Sequence, residues 1–491
     1  MSGKEGQHSN LSSAAIQGTA WRYVAFFSGK LMVFVSTVVL ARLLTKDDYG
    51  LVGYAVTAIS FLDVISDLGV VPALIYYPEN KRTSGTAFWL NLLISILFFA
   101  LAWVLAPIMA AYFRDPRVED VVRVLAFNFP FKALGDIHES VLLKKLTYSR
   151  TFLPDFLKAM AKGVISIGLA AAGFGAWSLI WGQLGGTLVS SLTFWVVTPW
   201  RPKLIFDFSK VRLLLGYGVG FIGGDILNIF LLNLDYLLVG RYLGSEDLGV
   251  YTLSFRLPDL LIMQFARILS WVIFPIYTRM KDEPGGLARG FAVTTRYVSL
   301  LTVPLGIGLA LISQPFTLVV FTEKWVEAIP VIRALALYAM FLSIAHNINS
   351  AYRASGRLNV VTWMGVFRLG LLFPALWWAT TVVSSIVAVG WAQAVVACTS
   401  TIVNLLLAAR LLGLPLKELI AALRPAILAG SVMLIVVLFV LNISQLSPSW
   451  MQLTFSIISG GIAYVALLWF VQRQTVLDAV RKLRTAVSGN G

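Results

Sequence analysis

Long apolar runs, each closed by a short polar or glycine- and proline-bearing stretch, set the rhythm of this chain from residue 19 to residue 471. A helix that crosses a bilayer needs about 20 mostly apolar residues. Fourteen such segments are predicted, over 19–44, 49–78, 85–113, 120–143, 151–171, 174–198, 213–239, 248–278, 290–321, 327–352, 359–380, 386–407, 425–441 and 451–471. The fold class that follows is all-α, a polytopic membrane protein with about 14 transmembrane helices. Prolines such as Pro72, Pro107, Pro130, Pro258, Pro304 and Pro374 fall inside these segments. Each frees a backbone carbonyl, which leaves either a static kink or a hinge.

Composition agrees with that pattern. Of 491 residues 58% are apolar and 13% charged, and the mean hydropathy is +0.81. Water-soluble domains carry roughly twice that share of charge, so a soluble enzyme, a disordered regulator and a fibrous protein are excluded. The single cysteine, Cys398, rules out an intramolecular disulfide and any multi-cysteine metal site. No phosphate-binding G-x-x-x-x-G-K-[ST] sequence occurs, and no loop has room for a catalytic domain. GVGFIG (218–223) formally fits a dinucleotide fingerprint but follows no strand. Gly216, Gly220 and Gly224 there are instead expected to allow close helix contact or bending. No catalytic residue, metal or cofactor is expected.

Where the basic residues lie gives the orientation. One set of alternate loops holds 22 Lys and Arg against 6 in the other. The richer set also holds 7 acids, so the whole net charge of +15 sits on that side. It is expected to face the cytoplasm, with both termini inside, and to meet anionic membrane lipids rather than nucleic acid. The first 18 residues lack the pattern of a cleaved signal peptide.

An internal repeat organises the chain. VLARLLTKDDYGLVGYA (39–55) aligns with LVGRYLGSEDLGVYTLS (238–254) at an offset of 199, placing Arg42 on Arg241, Asp48 on Asp247 and Gly50 on Gly249. Further along the offset is 210, with Arg123 on Arg333, Lys158 on Arg368, Trp181 on Trp391 and Gln183 on Gln393. The expected organisation is a cytoplasmic segment 1–18, a six-helix lobe 19–200, a linker 201–212, a second six-helix lobe 213–412, two further helices over 413–471 and a cytoplasmic tail 472–491. Even-numbered repeats of this kind enter the membrane from the same side, as in rocking transporters.

Eleven Lys and Arg fall within spans. Each costs roughly 2.5–3.5 kcal/mol at mid-bilayer unless it finds a partner, an interface or water. Arg123 and Arg333 lie near span ends and can snorkel. The candidate substrate-binding set is Arg22, Lys30, Lys132, Lys158, Lys162, Arg256, Arg267, Arg296 and Arg368. Helical spacing also allows ion pairs Asp155–Lys158, Lys132–Asp136 and Arg256–Asp259. Cations spread over both halves suit an anionic substrate, and guanidinium and ammonium groups suit phosphate oxygens best. The candidate ion-coupling acids are Asp63, Asp67, Asp136, Glu139, Asp225 and Asp235, with hydrogen bonding to neighbouring helices as their other reading. His138 and His346 are isolated and read as packing residues.

LARLLTKDDYG, SDLGVVPALIY (66–76), LLKKLTYSRTFLPDF (142–156) and YRASGR (352–357) together resemble the Wzx-type polysaccharide flippases, in the exopolysaccharide and colanic-acid branch of the multidrug/oligosaccharidyl-lipid/polysaccharide exporter superfamily. The resemblance runs from about residue 14 to 440. It implies two six-helix lobes around a cationic cavity in a bacterial inner membrane. It also implies a polyprenyl-diphosphate-linked oligosaccharide moved to the outer leaflet, with a proton or sodium gradient and the membrane potential as drive. A polysaccharide polymerase and other assembly proteins are the implied partners. A cation-coupled multidrug exporter of the same fold, a peptidoglycan-precursor flippase and a membrane glycan polymerase or ligase are the alternatives.

Overall fold

The computed structural model describes residues 29–488 apart from 67, 78–80, 146, 148–149, 267–268, 270–272, 274–276, 279 and 281–282; the side chains of 81, 217–222 and 471–488 also lie outside the description. Every regular element among the described residues is helical. In the first part of the chain these are α1 (29–43), α2 (Lys46–Ser66), α3 (Val70–Tyr76), α4 (Lys81–Phe113), α5 (Arg117–Leu125), α6 (Asn128–Lys144), α7 (Phe152–Ala171), α8 (Ala176–Val197) and α9 (Phe208–Tyr242). There follow α10 (Ser245–Pro258), α11 (Gly286–Val320), α12 (Ala328–Ala354), α13 (Leu358–Thr381), α14 (Ile386–Leu412), α15 (Leu416–Ile443) and α16 (Ser449–Ser488). Among the described residues ten helical segments are long and apolar enough to cross a membrane. The described parts of α1, α3, α5, α6, α7 and α10 are outside those ten, because they are short or carry clustered charge.

Two predicted spans are broken where the backbone explains it. Between α2 and α3 both Leu68 (φ 29°) and Gly69 (φ 68°) adopt positive φ, which ends one helix and starts another. Pro72 then sits in the first turn of α3, where its missing N–H costs nothing. Between α5 and α6 the chain turns at Ala126 and Phe127. Pro130 has no N–H to offer the carbonyl of Ala126 and its ring clashes there, so the helix restarts.

The chain forms two compact units, one reaching to Gly249 and one from Val250 to Leu483. In the first, α7 and α8 pack backbone to backbone. A Cβ added at Gly182 would lie 1.8 Å from the Ser166 hydroxyl and 2.9 Å from the Lys162 carbonyl, and one at Gly186 would lie 2.9 Å from the Lys158 carbonyl. Small residues four apart permit this approach in a membrane, where no hydrophobic force drives helices together. The expectation of similar contact in α9 fails at Gly216 and Gly224, where an added Cβ would meet nothing within 4 Å. α9 runs unbroken past both.

The second unit has an apolar core joining Phe291, Val298, Ile348, Tyr352 and Leu405 from α11, α12 and α14. A polar stitch crosses it, with Tyr277 donating to Asn347 Oδ1 at 3.0 Å and Asn347 Nδ2 donating to Thr295 at 3.2 Å. Such groups are tolerated in an apolar core because each is satisfied. α15 lies along α11 and seats Met433 and Val437 with Tyr464 of α16. Directly after Pro258, residues Asp259–Met263 form a short π-helical turn, the register error expected where proline withdraws a backbone donor.

Candidate functional site

Charge in the spans is divided unevenly between the two units. The first holds the span acids Asp63, Asp67, Asp136, Glu139, Asp155, Asp225 and Asp235, and four of its six span cations are lysines. The second holds five span cations, all arginine, and two span acids, Asp259 and, at the first position of its span, Glu327. The sequence expectation treated the cations as one population; the structure separates them by chemistry.

In the first unit the predicted residues converge. Lys132 on α6 donates to both carboxylate oxygens of Asp63 on α2, at 2.9 and 3.1 Å. This bond runs between helices, to an acid other than the Asp136 that spacing within one helix suggested. Asp136 accepts from Asn91 Nδ2 on α4 at 3.3 Å. Glu139, one turn further along α6, lies within electrostatic reach of Asp155, Asp136, Lys158 and Lys132. Asp155 in turn feels Lys158 and then Lys30 of α1. Lys162, one turn beyond Lys158, donates to Gln183 Oε1 on α8. Six helices thus contribute to one mixed-charge network, with side chains partly exposed rather than sealed: Lys132 and Asp63 keep 42% and 35% of their surface open. Open ionic groups inside a membrane protein require water or an interface beside them.

Asp235 stands apart from this network. It is 1% exposed and accepts from the Tyr236 N–H at 3.0 Å, which fits the hydrogen-bonded reading of that acid. Asp225, higher on α9, leaves its side chain exposed. His138 is fully buried against Trp195 and Trp200, with ring centroids at 4.6 and 5.0 Å, and packs as expected. His346 Nδ1 meets the Leu342 carbonyl at 2.8 Å.

In the second unit, the span arginines Arg256, Arg296, Arg333 and Arg368 make no ion pair among the described residues. Arg368 on α13 lies over the ring of Tyr338 on α12, 5.7 Å from its centroid, and donates to the Tyr338 hydroxyl at 3.3 Å. Tyr338 touches Phe255 of α10 ring to ring at 5.8 Å, and Arg256 is the next residue. Arg256 leaves its side chain exposed and makes no ion pair with Asp259, which accepts from Gln264 at 3.2 Å. On α11, Arg296 is half-buried, and its Nε is without a hydrogen-bond partner among the described residues, as is the Nε of Arg368. A buried guanidinium N–H left open costs about 1–3 kcal/mol. Arg296 and Arg368, with the exposed Arg256, lie on helices that neighbour α12, and each has donors that an anion with several oxygens can take. Arg333 is drawn to Ser313 at 3.0 Å, in keeping with its place near a span end.

Arg22, Asp67 and Arg267 lie outside the described residues. Sequence reasoning missed Asn91, Gln183 as a partner of Lys162, and Tyr338 beneath Arg368. Of these only Gln183 left a trace, as one of the repeat matches.

The K-D-D-Y-G stretch, which aligns with S-E-D-L-G at 245–249, has a local explanation. Asp48 accepts from the Thr45 N–H and the Ala176 N–H, both at 2.8 Å, so it ties the turn before α2 to the start of α8. Asp47 receives two bonds from Arg117, at 2.6 and 3.0 Å, and one from the Ser245 hydroxyl. Asp115 grips the other side of Arg117 at 2.7 Å. Hydrogen bonds from Arg117, to Asp47 first and Asp115 second, hold that guanidinium above its ordinary value against its partial burial. Gly50 and Gly249, one repeat offset apart, make a reciprocal contact: a Cβ at Gly50 would lie 1.8 Å from the Ser245 carbonyl oxygen, and one at Gly249 would lie 1.8 Å from that of Lys46. Lys46 and Ser245 are themselves one offset apart.

Comparison with known proteins gives a coherent picture. Residues 39–330 match the family described as polysaccharide biosynthesis protein. The chain is 26% identical over 488 residues to the teichuronic acid biosynthesis protein TuaB of Bacillus subtilis (strain 168), covering 97% of this chain and 99% of that protein. It is 26% identical to the succinoglycan biosynthesis transport protein ExoT of Rhizobium meliloti (strain 1021), covering 93% and 94%. Among solved structures the fold is similar to the lipid II flippase MurJ in an inward closed conformation, with a TM-score of 0.76 at 12% identity over 92% of this chain and 99% of that one.

Proposed function

The chain belongs to the polysaccharide biosynthesis protein family, and on that premise we propose that it is a flippase for polyprenyl-diphosphate-linked oligosaccharide repeat units. It takes the head group from the cytoplasmic leaflet and delivers it to the outer leaflet by alternating access, for assembly of an exopolysaccharide, capsule or O-antigen. It works in a bacterial inner membrane with both termini in the cytoplasm, and it hands its product to a polysaccharide polymerase.

The observation that carries this reading is the arginine set of the second unit, Arg256, Arg296 and Arg368, which has no carboxylate partner among the described residues. An ion-paired arginine has little left to offer a ligand; an unpaired one in a membrane helix needs an anion or water. A diphosphate presents oxygens enough for several guanidinium forks. The mixed network of the first unit serves the second task. Asp63, Asp136 and Glu139, set among Lys132 and Lys158, can exchange a proton or hold a sodium ion as the transport cycle proceeds. The inside-negative potential assists the outward passage of an anionic head group by about 2.3 kcal/mol per charge per 100 mV. A drug exporter of the same fold would take cations, which five span arginines in one unit repel.

The test is a cell whose surface polysaccharide depends on this protein. With Arg256, Arg296 and Arg368 all changed to Gln, polymer at the surface falls and lipid-linked repeat units accumulate, while the amount of protein in the membrane is unchanged. Normal export by that triple variant overturns the assignment.

A further inference from the structure

The YRASGR segment carries a feature that flipping a head group does not explain. Its last four residues, with Arg353, line a cavity of about 720 Å³ in the second unit. The opposite walls are the Glu283–Ala288 turn that leads into α11 and the end of α14 at Leu411 and Leu412. Pockets that hold small ligands run from roughly 300 to 1,000 Å³, so the space suits a head group.

Its chemistry is two-sided. Gly356 takes a left-handed turn (φ +74°) that sets Arg353 and Arg357 on either side of it at the cavity mouth. Arg357 gives one N–H to the Leu411 carbonyl at 2.9 Å, which fixes the guanidinium and leaves the rest of its fork open. The Arg353 side chain is exposed and has no hydrogen-bond or ion-pair partner among the described residues. Among the described residues the acid on the wall is Glu283, which faces Arg289 at 3.6 Å, so part of its charge is offset. Most of the cavity wall is polar, but behind the arginines Leu287, Leu411 and Leu412 show part of their side chains and pack directly on the core. A cationic mouth with leucines behind it matches an amphiphile, a phosphate with hydrocarbon attached to it.

We propose that this cavity is a binding site for the phosphate head group of a membrane lipid, with Arg353 and Arg357 on the phosphate oxygens and the first carbons of the lipid against Leu287, Leu411 and Leu412. By the loop charges it opens on the cytoplasmic side, where anionic head groups are densest. The phosphate can belong to an anionic glycerophospholipid that stays bound or to the diphosphate of a lipid-linked precursor waiting to load. The proposal takes only the orientation from the proposed function.

The full-length protein is purified in detergent, stripped of lipid and titrated with phosphatidylglycerol or phosphatidylcholine while bound lipid is counted by native mass spectrometry. Wild type is expected to prefer phosphatidylglycerol. Arg353→Gln, which removes no internal contact, is expected to bind it roughly tenfold less tightly, the effect of one lost charge-assisted bond. Arg357→Gln is expected to do the same, with thermal stability measured alongside because it also loses its bond to Leu411. Inorganic pyrophosphate is then added at fixed lipid. Displacement of the lipid at lower concentration than orthophosphate assigns the site to a diphosphate precursor, and resistance to displacement assigns it to resident phospholipid. Arg368→Gln, expected to impair export, should leave this lipid binding intact, so the two assignments fail separately. Equal binding of both lipids by wild type, or unchanged phosphatidylglycerol binding by Arg353→Gln in a folded protein, overturns the proposal.

Discussion

Replacing Gly50 by alanine gives the sharpest test of how the repeat is built. The ideal Cβ at this position falls 1.8 Å from the Ser245 carbonyl oxygen, and the mirror-related Cβ at Gly249 falls 1.8 Å from the Lys46 carbonyl oxygen. Carbon and carbonyl oxygen settle no closer than roughly 3.3 Å, so either substitution must part the two backbones by about 1.5 Å. Neither neighbour is a flexible side chain that can swing aside. Overpacking of this kind costs about 1–3 kcal/mol, and the separation also stretches the Ser245–Asp47 hydrogen bond that lies beside it. Once one alanine has opened the junction, the second meets a gap already made. Gly50→Ala and Gly249→Ala should therefore each lower thermal stability in detergent, and the double variant should cost less than their sum by about 0.5–3 kcal/mol, the range seen for coupled neighbours. A strictly additive double variant, or a Gly50→Ala protein as stable as wild type, would show that the reciprocal contact does not exist as described.

Three further outcomes can be checked directly. Lys132→Met should destabilise the protein by about 1–3 kcal/mol through a stranded Asp63, and adding Asp63→Asn should restore stability in a thermal melt without restoring export. Arg368→Lys keeps the charge but loses the flat contact with Tyr338, and should reduce export in the dependent cell at normal protein levels; full export would discard the stacking argument. Asp207 caps α9 by accepting from the N–H and hydroxyl of Ser209, and those bonds hold its carboxyl below the usual carboxylate range. Its contribution is therefore present above its ordinary value of 3.8 and fades as pH falls through the lowered one. Protection of the first-turn amides of α9, taken relative to their intrinsic exchange rates, should fall only in acid, and Asp207→Ala should remove that dependence.

The broad architecture was legible because hydropathy and loop charge are one-dimensional signals. Apolar stretches announce helices, and a lysine inside such a stretch announces itself. What stayed hidden needed the third dimension. Lys132 had an acid one turn away in Asp136, yet it reaches across to Asp63, since helical spacing states which residues share a face and not which neighbouring helix that face meets. The broken spans at Leu68–Gly69 and Ala126–Phe127 were weakly signalled by Gly69 and Pro130 inside otherwise continuous apolar sequence. The glycine pair 50 and 249 was visible as a repeat match, but only coordinates reveal that repeated positions touch one another. The receptive arginines were readable as cations in spans, whereas their want of acids emerged once the chain had been divided into its two units.

That uneven allotment of side chains has a bearing on how the protein answers to its surroundings. A guanidinium keeps its proton throughout the range in which cells live. The span arginines of the second unit accordingly keep their charge across that range, and on the proposed function their hold on an anionic head group does not vary with acidity. Carboxylates and ammonium groups side by side in the earlier half can trade protons with water. On the proposed function, sensitivity of transport to external acidity traces to those groups, and a protein whose Asp63, Asp136 and Glu139 are all made amides should lose it; export that still varies with acidity in that variant would refute the assignment.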